Sequence, residues 1–230
     1  MKVAAVVPAY NEESRIGVVL NTLKCSTTID EIIAVSDGSA DNTYEAAKAV
    51  DGIKVINLPE NLGKGGAMLA GAKSTDAEII AFFDADLIGL TPEHVDALIR
   101  PVVEGSADMS IGIFQAGRKW TDWAQKIAPY ISGQRALLRS KFLDVPGLNE
   151  VRFGVEIAIG RYARENGLQT IRVPFAGVTH PLKEEKLGFI PGAAARAKMY
   201  WEIMKLMRAS RNADNMGKSS DQGIEGTNLP

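Results

Sequence analysis

The sequence predicts an α/β protein with a mostly parallel central sheet flanked by helices. Three observations carry this. Short Val- and Ile-rich runs that are apolar at every position recur along the first half of the chain. Segments with helical apolar spacing lie between them, and Gly-, Asp- and Asn-containing loops follow the runs. Strands covered by helices on both faces read as continuous apolar runs, and βαβα alternation is the pattern of parallel connections.

Strands are expected at Val3–Val7, Glu31–Val35, Lys54–Leu58, Ile79–Phe83 and Met109–Phe114. Between the first two, Ile16, Val19, Leu20 and Leu23 keep one helical face apolar. Asp41 is placed to cap a helix running to Val50, and Gly66–Lys73 forms a short further helix. Thr91-Pro92-Glu93 opens another, with a hydroxyl cap and Pro in the first turn, and His94 there faces water. The second half is less regular: a helix over Gly154–Glu165, a strand over Thr170–Pro174 and a long helix over about 191–208. Trp120 and Trp123, three apart, suit a packed helix face better than a sugar-stacking one.

Balanced charge, 26 Lys+Arg against 28 Asp+Glu for a net of −2, gives no basic field for nucleic acid. A 46% hydrophobic fraction excludes wholesale disorder over the 230 residues. The lone Cys25 excludes a disulfide scaffold and a Cys-rich zinc module. Pro8 and Asn11-Glu12-Glu13 end the first apolar run too early for a secretion signal. No apolar run approaches the roughly 18–20 residues of a membrane span. The expectation is a soluble cytoplasmic protein of one domain: an α/β half over 1–115, a second half over 116–210 and a disordered tail over 211–230.

Four constellations fall where strands end, the place where open α/β sheets bind ligands. They are Pro8-Ala9-Tyr10-Asn11-Glu12, Ser36-Asp37-Gly38-Ser39, Asn61-Leu62-Gly63-Lys64-Gly65-Gly66 and Asp84-Ala85-Asp86. Asp84 and Asp86 form an oxygen-rich pair suited to Mg²⁺ or Mn²⁺ shared with substrate phosphates. The glycine-flanked Lys64 offers backbone N–H groups and an ammonium at a helix start, a setting for phosphate. It is not a P-loop, and no G-x-G-x-x-G follows the first strand. Asp37 suits either a nucleobase N–H or a simple Asp-Gly turn.

The ordered stretches VVPAYNEE, AVSDGSADNT, NLGKGGAMLAGA and IIAFFDADL resemble family 2 glycosyltransferases of the GT-A nucleotide-diphospho-sugar transferase fold. The resemblance implies nucleotide contacts from Pro8, Ala9, Tyr10, Glu12, Asp37, Lys64, Asp84 and Ala85, with a metal–diphosphate on Asp84 and Asp86. Ser132-Gly133-Gln134-Arg135, Gly154-Val155-Glu156 and His180 are similar to glucosyl-3-phosphoglycerate and mannosylglycerate synthases. That likeness implies His180 as third metal ligand and Gly133, Gln134 and Arg135 at the acceptor. DADL with Lys183–Gly188 before a hydrophobic helix looks like polyprenyl-phosphate sugar transferases.

The implied activity is metal-dependent transfer of a hexose from a UDP-glucose- or GDP-mannose-type donor to an anionic acceptor. Asp86, Glu156 and Lys64 are the expected catalytic group. Glu156 either orients an acceptor hydroxyl, acts as a base, or pairs with Arg161 or another cation. Arg135 and Arg139 either clamp the acceptor or are surface arginines. The basic Trp- and Tyr-bearing C-terminal helix suits a peripheral contact with the inner membrane face, packing on its own domain, or a homodimer. A sugar-1-phosphate nucleotidyltransferase is disfavoured because Pro8-Ala9-Tyr10 replaces its glycine-rich first loop. A phosphatase would carry its DxD after strand one. A non-catalytic sugar-nucleotide-binding subunit is the third rival.

Overall fold

Among the described residues, seven strands form one mixed sheet in the order β3-β2-β1-β4-β6-β5-β7. The structure is a computed structural model, which describes residues 1–115, 132–148 and 154–181. Trp120, Trp123, the Lys183–Gly188 stretch, the expected C-terminal helix and the tail lie outside the described residues.

The strands are β1 (Val3–Ala9), β2 (Glu31–Asp37), β3 (Lys54–Leu58), β4 (Ile79–Phe82), β5 (Met109–Gln115), β6 (Arg135–Leu138) and β7 (Thr170–Ala176). The helices are α1 (Ile16–Lys24), α2 (Thr43–Lys48), α3 (Gly63–Lys73), α4 (Pro92–Val103), α5 (Arg139–Leu143) and α6 (Val155–Glu165). Strands β1 to β4 pair in parallel, and β5 pairs in parallel with β7. Strand β6 is the exception, antiparallel to both β4 and β5.

The expected double-sided burial holds in the sheet centre. Val3, Ala5 and Val7 face a core with Ile16, Val19, Leu20 and Leu23 of α1 and Val95, Leu98 and Ile99 of α4. Ala4 and Val6 face the other core, with Met68 of α3, Phe142 of α5, and Val155 and Ile159 of α6. Alternate residues of one strand thus serve two helical layers. Strand β3 departs from the expectation because it is the sheet edge, and its side chains are only half-covered.

Four local expectations change. Helix α3 begins at Gly63 rather than Gly66, which brings Lys64 into its first turn. Asp41 does not cap α2; Asn42 holds that position, and Asp41 instead accepts from the backbone N–H of Thr43 at 3.0 Å. His94 is half-buried rather than solvent-facing, joined to Thr91 in a capping box and stacked 5.2 Å from the Phe175 ring. Arg139 lies at the amino edge of β4, with its backbone N–H on Glu78 and its Nε 2.9 Å from the Ala72 carbonyl. That is the edge opposite the DxD pair, so Arg139 is no acceptor clamp.

Candidate metal centre

The topology delivers all seven described strands to one sheet edge. Parallel β1 to β4, β5 and β7 all end there, and β6 enters there because it runs the other way. The four strand-end loops are stitched side to side. Asn11 Oδ1 accepts from Ala40 N at 2.9 Å, and Glu12 N donates to Thr43 Oγ1 at 2.7 Å. Asp37 Oδ1 accepts from Leu62 N at 2.7 Å, joining the second loop to the third. Gly38, at φ +63°, lies so close that a Cβ there would sit 2.5 Å from Asn61 N.

The third loop reaches the fourth through Lys64. Its Nζ lies 2.6 Å from Asp84 Oδ1 and 2.6 Å from Glu156 Oε1 at the start of α6. Glu156 is therefore the lysine's counter-ion, while Arg161 donates to Glu165 at 2.6 Å. The other Asp84 oxygen accepts from Gln134 Nε2 at 2.9 Å. Gln134 is fully buried beneath, where Ser132 Oγ lies 3.1 Å from Oε1 and Gly112 N donates to the Gln134 carbonyl at 2.9 Å. A Cβ at Gly133 would stand 2.5 Å from Lys64 Nζ and 2.6 Å from Asp84 Oδ2. Glycine lets this backbone pass over the ion pair without displacing either side chain.

His180 arrives from beyond β7. Its Nδ1 lies 2.9 Å from Asp86 Oδ1, its Nε2 lies 3.6 Å from Asp84 Oδ2, and the Phe114 ring meets it edge-on at 4.9 Å. Ligand atoms of Asp84, Asp86 and His180 all fall within 4.8 Å of one another. The two carboxylates fit Mn²⁺ or Mg²⁺ in donor type, and the imidazole adds a nitrogen donor more typical of a transition-metal ion such as Mn²⁺.

Electrostatics shifts these groups toward their charged forms. Burial alone would raise the Asp84 pKa, but the Lys64 and His180 charges outweigh it and hold the carboxyl below its usual range. Burial likewise opposes charge on Lys64, and the neighbouring Asp84 and Glu156 carboxylates overcome it, raising its pKa. His180 follows the same pattern: burial lowers, the Asp86 hydrogen bond and Asp84 charge raise, and the net shift is upward.

The remaining expected site residues divide by reach. Tyr10 is exposed at the cleft edge, with 49% of its surface free. The Ala9 and Ala85 side chains are in the core, so only their backbones can meet a ligand. Asp37 is buried and holds the third loop. The Gln134 amide donates to Asp84 at 2.9 Å. Arg135 is wholly buried on β6, opposite Phe82 and Ile111, with Nε 3.0 Å from the Ser132 carbonyl. Its two terminal nitrogens have no hydrogen-bond partner among the described residues. Burial pushes it down to about 10, against the pull of Glu156 and Asp84. Arg135 is thus a buried charge near Glu156 and Asp84 rather than an exposed side chain.

The fold and cluster place a candidate metal-binding group at the carboxyl edge of an α/β sheet. The chain belongs to glycosyl transferase family 2, whose model matches residues 4–159. It is 36% identical over 110 residues to glucosyl-3-phosphoglycerate synthase of Mycolicibacterium smegmatis, covering 44% of this chain and 36% of that protein. It is 34% identical over 126 residues to a UDP-N-acetylglucosamine–dolichyl-phosphate N-acetylglucosaminyltransferase of Methanococcus voltae, covering 46% and 49%. The aligned part thus spans less than half of either relative. Among solved structures it is similar to Mycobacterium tuberculosis glucosyl-3-phosphoglycerate synthase in complex with Mn²⁺, UDP and glucosyl-3-phosphoglycerate. The TM-score is 0.65 at 25% identity, over 81% of this chain and 75% of that one. The same enzyme has also been solved with Mg²⁺ and UDP, with a TM-score of 0.63. The expected family and fold are borne out.

Proposed function

We propose that the chain transfers a hexose from a nucleoside-diphosphate sugar of the UDP-glucose or GDP-mannose type to an anionic acceptor, with Mg²⁺ or Mn²⁺. The observation that carries this is the Asp84–Asp86–His180 cluster beside the Lys64 ammonium at the edge where strand-end loops meet. Acceptors of the phosphoglycerate or polyprenyl-phosphate class are supported by the two kinds of curated relative.

In the reaction, the bond from the anomeric carbon to the donor phosphate oxygen breaks and the diphosphate leaves with the electron pair. The acceptor oxygen forms the new bond; a phosphate acceptor has no proton to lose, and a hydroxyl acceptor gives its proton to the departing diphosphate. A divalent ion, when bound, supplies positive charge against the charge developing on that leaving group. Asp84, Asp86 and His180 are the residues that would hold it. Lys64 adds an ammonium beside the same phosphates, and Gln134 keeps the Asp84 carboxylate in one orientation. The stitched loops, with Tyr10 at their rim and Asp37 at their base, hold the nucleotide. The Gly133 backbone and the buried Arg135 charge shape the acceptor end. Glu156 is read as the partner that positions Lys64, since its carboxylate is already committed to that ammonium.

Product analysis tests the reading. Incubation with UDP-glucose or GDP-mannose, Mn²⁺, and either 3-phosphoglycerate or a short polyprenyl phosphate is expected to release nucleoside diphosphate and a glycosylated acceptor. Pyrophosphate release would instead mark a nucleotidyltransferase. Donor binding with no turnover across both acceptors would mark a binding subunit.

A further inference from the structure

We propose that Lys64 is an exchangeable counter-ion of Asp84. Its ammonium holds the carboxylate while no cation is bound, and it moves onto the anionic ligand, tethered by Glu156, when a divalent ion enters. The inference rests on the metal reading above and concerns what that site does between its empty and loaded states.

The geometry makes the lysine and the ion rivals for one group. Lys64 Nζ sits 2.6 Å from Asp84 Oδ1, and Asp84 is also one of the three residues whose ligand atoms converge. Asp84 is not the partner free to turn away, because its other oxygen is held by the buried Gln134 amide at 2.9 Å. The Gly133 backbone lies directly over the pair, closing the space on that side. Lys64 is the partner able to move. It has a flexible four-carbon stem and three rotatable donors, of which Asp84 and Glu156 account for two. Glu156, in the first turn of α6, gives the ammonium a second carboxylate to stay with when it leaves the first.

The sign of the coupling follows from charge. An ammonium and a divalent ion on the same carboxylate repel each other, so each weakens the other's binding, reciprocally. A diphosphate on the ion reverses this, because the ammonium then faces negative oxygens. Removing the lysine charge should therefore strengthen binding of the bare ion and weaken binding of the nucleotide to the loaded site. A purely structural lysine would move both in the same direction.

The test compares the full chain with Lys64→Met, Lys64→Gln and Asp86→Asn, each checked for an unchanged melting curve. Free Mn²⁺ is followed by electron paramagnetic resonance with no nucleotide present. UDP binding at saturating Mn²⁺ is followed by calorimetry. Each Lys64 variant is expected to bind Mn²⁺ alone several-fold to about tenfold more tightly than the wild type, the size of one charge-assisted contact, and UDP about tenfold more weakly. The Gln variant, which keeps a hydrogen-bonding side chain without the charge, stands in if Met disturbs packing. Mn²⁺ binding that Asp86→Asn abolishes yet neither Lys64 variant strengthens overturns the exchange alone. Mn²⁺ binding absent from wild type and Lys64 variants alike overturns the metal site and the exchange together.

Discussion

Asp84 shows how much of the site is decided around one side chain. Its carboxylate takes an ammonium on one oxygen and a buried amide on the other, so its direction is fixed before any ligand arrives. Groups that orient a metal ligand are typically worth 10–100-fold in metal affinity or activity. Gln134→Leu, of similar volume, should weaken Mn²⁺ binding by about that factor with little change in the fold, read as a Kd beside a melting curve. Equal Mn²⁺ affinity in wild type and variant would remove Gln134 from the site. Gly133→Ala should cut transfer by at least tenfold, because its methyl would displace Lys64 or Asp84. Its cost in stability should stay within the ~1–3 kcal/mol of an overpacked position. Steady-state kinetics of the purified variant decides this, and a normal rate would contradict the close approach.

Helix α4 shows how an element is tied to its surroundings. Asp96 on its polar side accepts from Ser26 Oγ at 2.5 Å, Thr27 Oγ1 at 2.8 Å and Thr28 Oγ1 at 3.0 Å, pinning the turn after α1. Burial works to raise the Asp96 pKa, and these hydroxyls outweigh it, so the folded carboxyl lies below its usual range. A depressed carboxylate contributes stability that is present above its unfolded pKa and lost as pH falls through the folded one. Asp96→Asn should therefore lower the melting temperature at neutral pH, with the gap to wild type closing as pH drops below about 4. A gap that stays constant on acidification would contradict the assignment. The sequence made α1, α4, α6 and the central strands legible, because their apolar spacing matches one period and α4 adds a hydroxyl cap at Thr91. It hid β6: only four residues long, it carries a buried Arg135 where an apolar residue would have signalled a strand. Missing β6 concealed why Gln134 reaches Asp84 and why Arg135 is buried. Lys64, Asp84, Asp86 and His180 were legible as candidates, but the Lys64–Glu156 pair joins residues 92 positions apart, and no local pattern encodes it.

At the scale of the whole molecule, two apolar cores lie on either side of the sheet and the charged cluster sits at its carboxyl edge. Folding and ligand binding are therefore separable. Chelation with EDTA should leave the melting temperature of the free chain unchanged. Mn²⁺ with UDP at about a hundredfold over Kd should add roughly 2.7 kcal/mol of stability by linkage. A chelator-induced fall in melting temperature would make the ion structural instead. Among the described residues no helix is long and apolar enough to cross a membrane. Sedimentation with anionic vesicles, with and without the segment after Pro181, tests the expected surface contact of the C-terminal region. The most direct test of the central claim is a calorimetric titration of UDP-glucose into the full chain, with Mn²⁺ and after its removal, repeated on Asp86→Asn. The account predicts uptake that requires the ion and is lost in the variant. Binding of equal strength with and without Mn²⁺, or unchanged in Asp86→Asn, would contradict it.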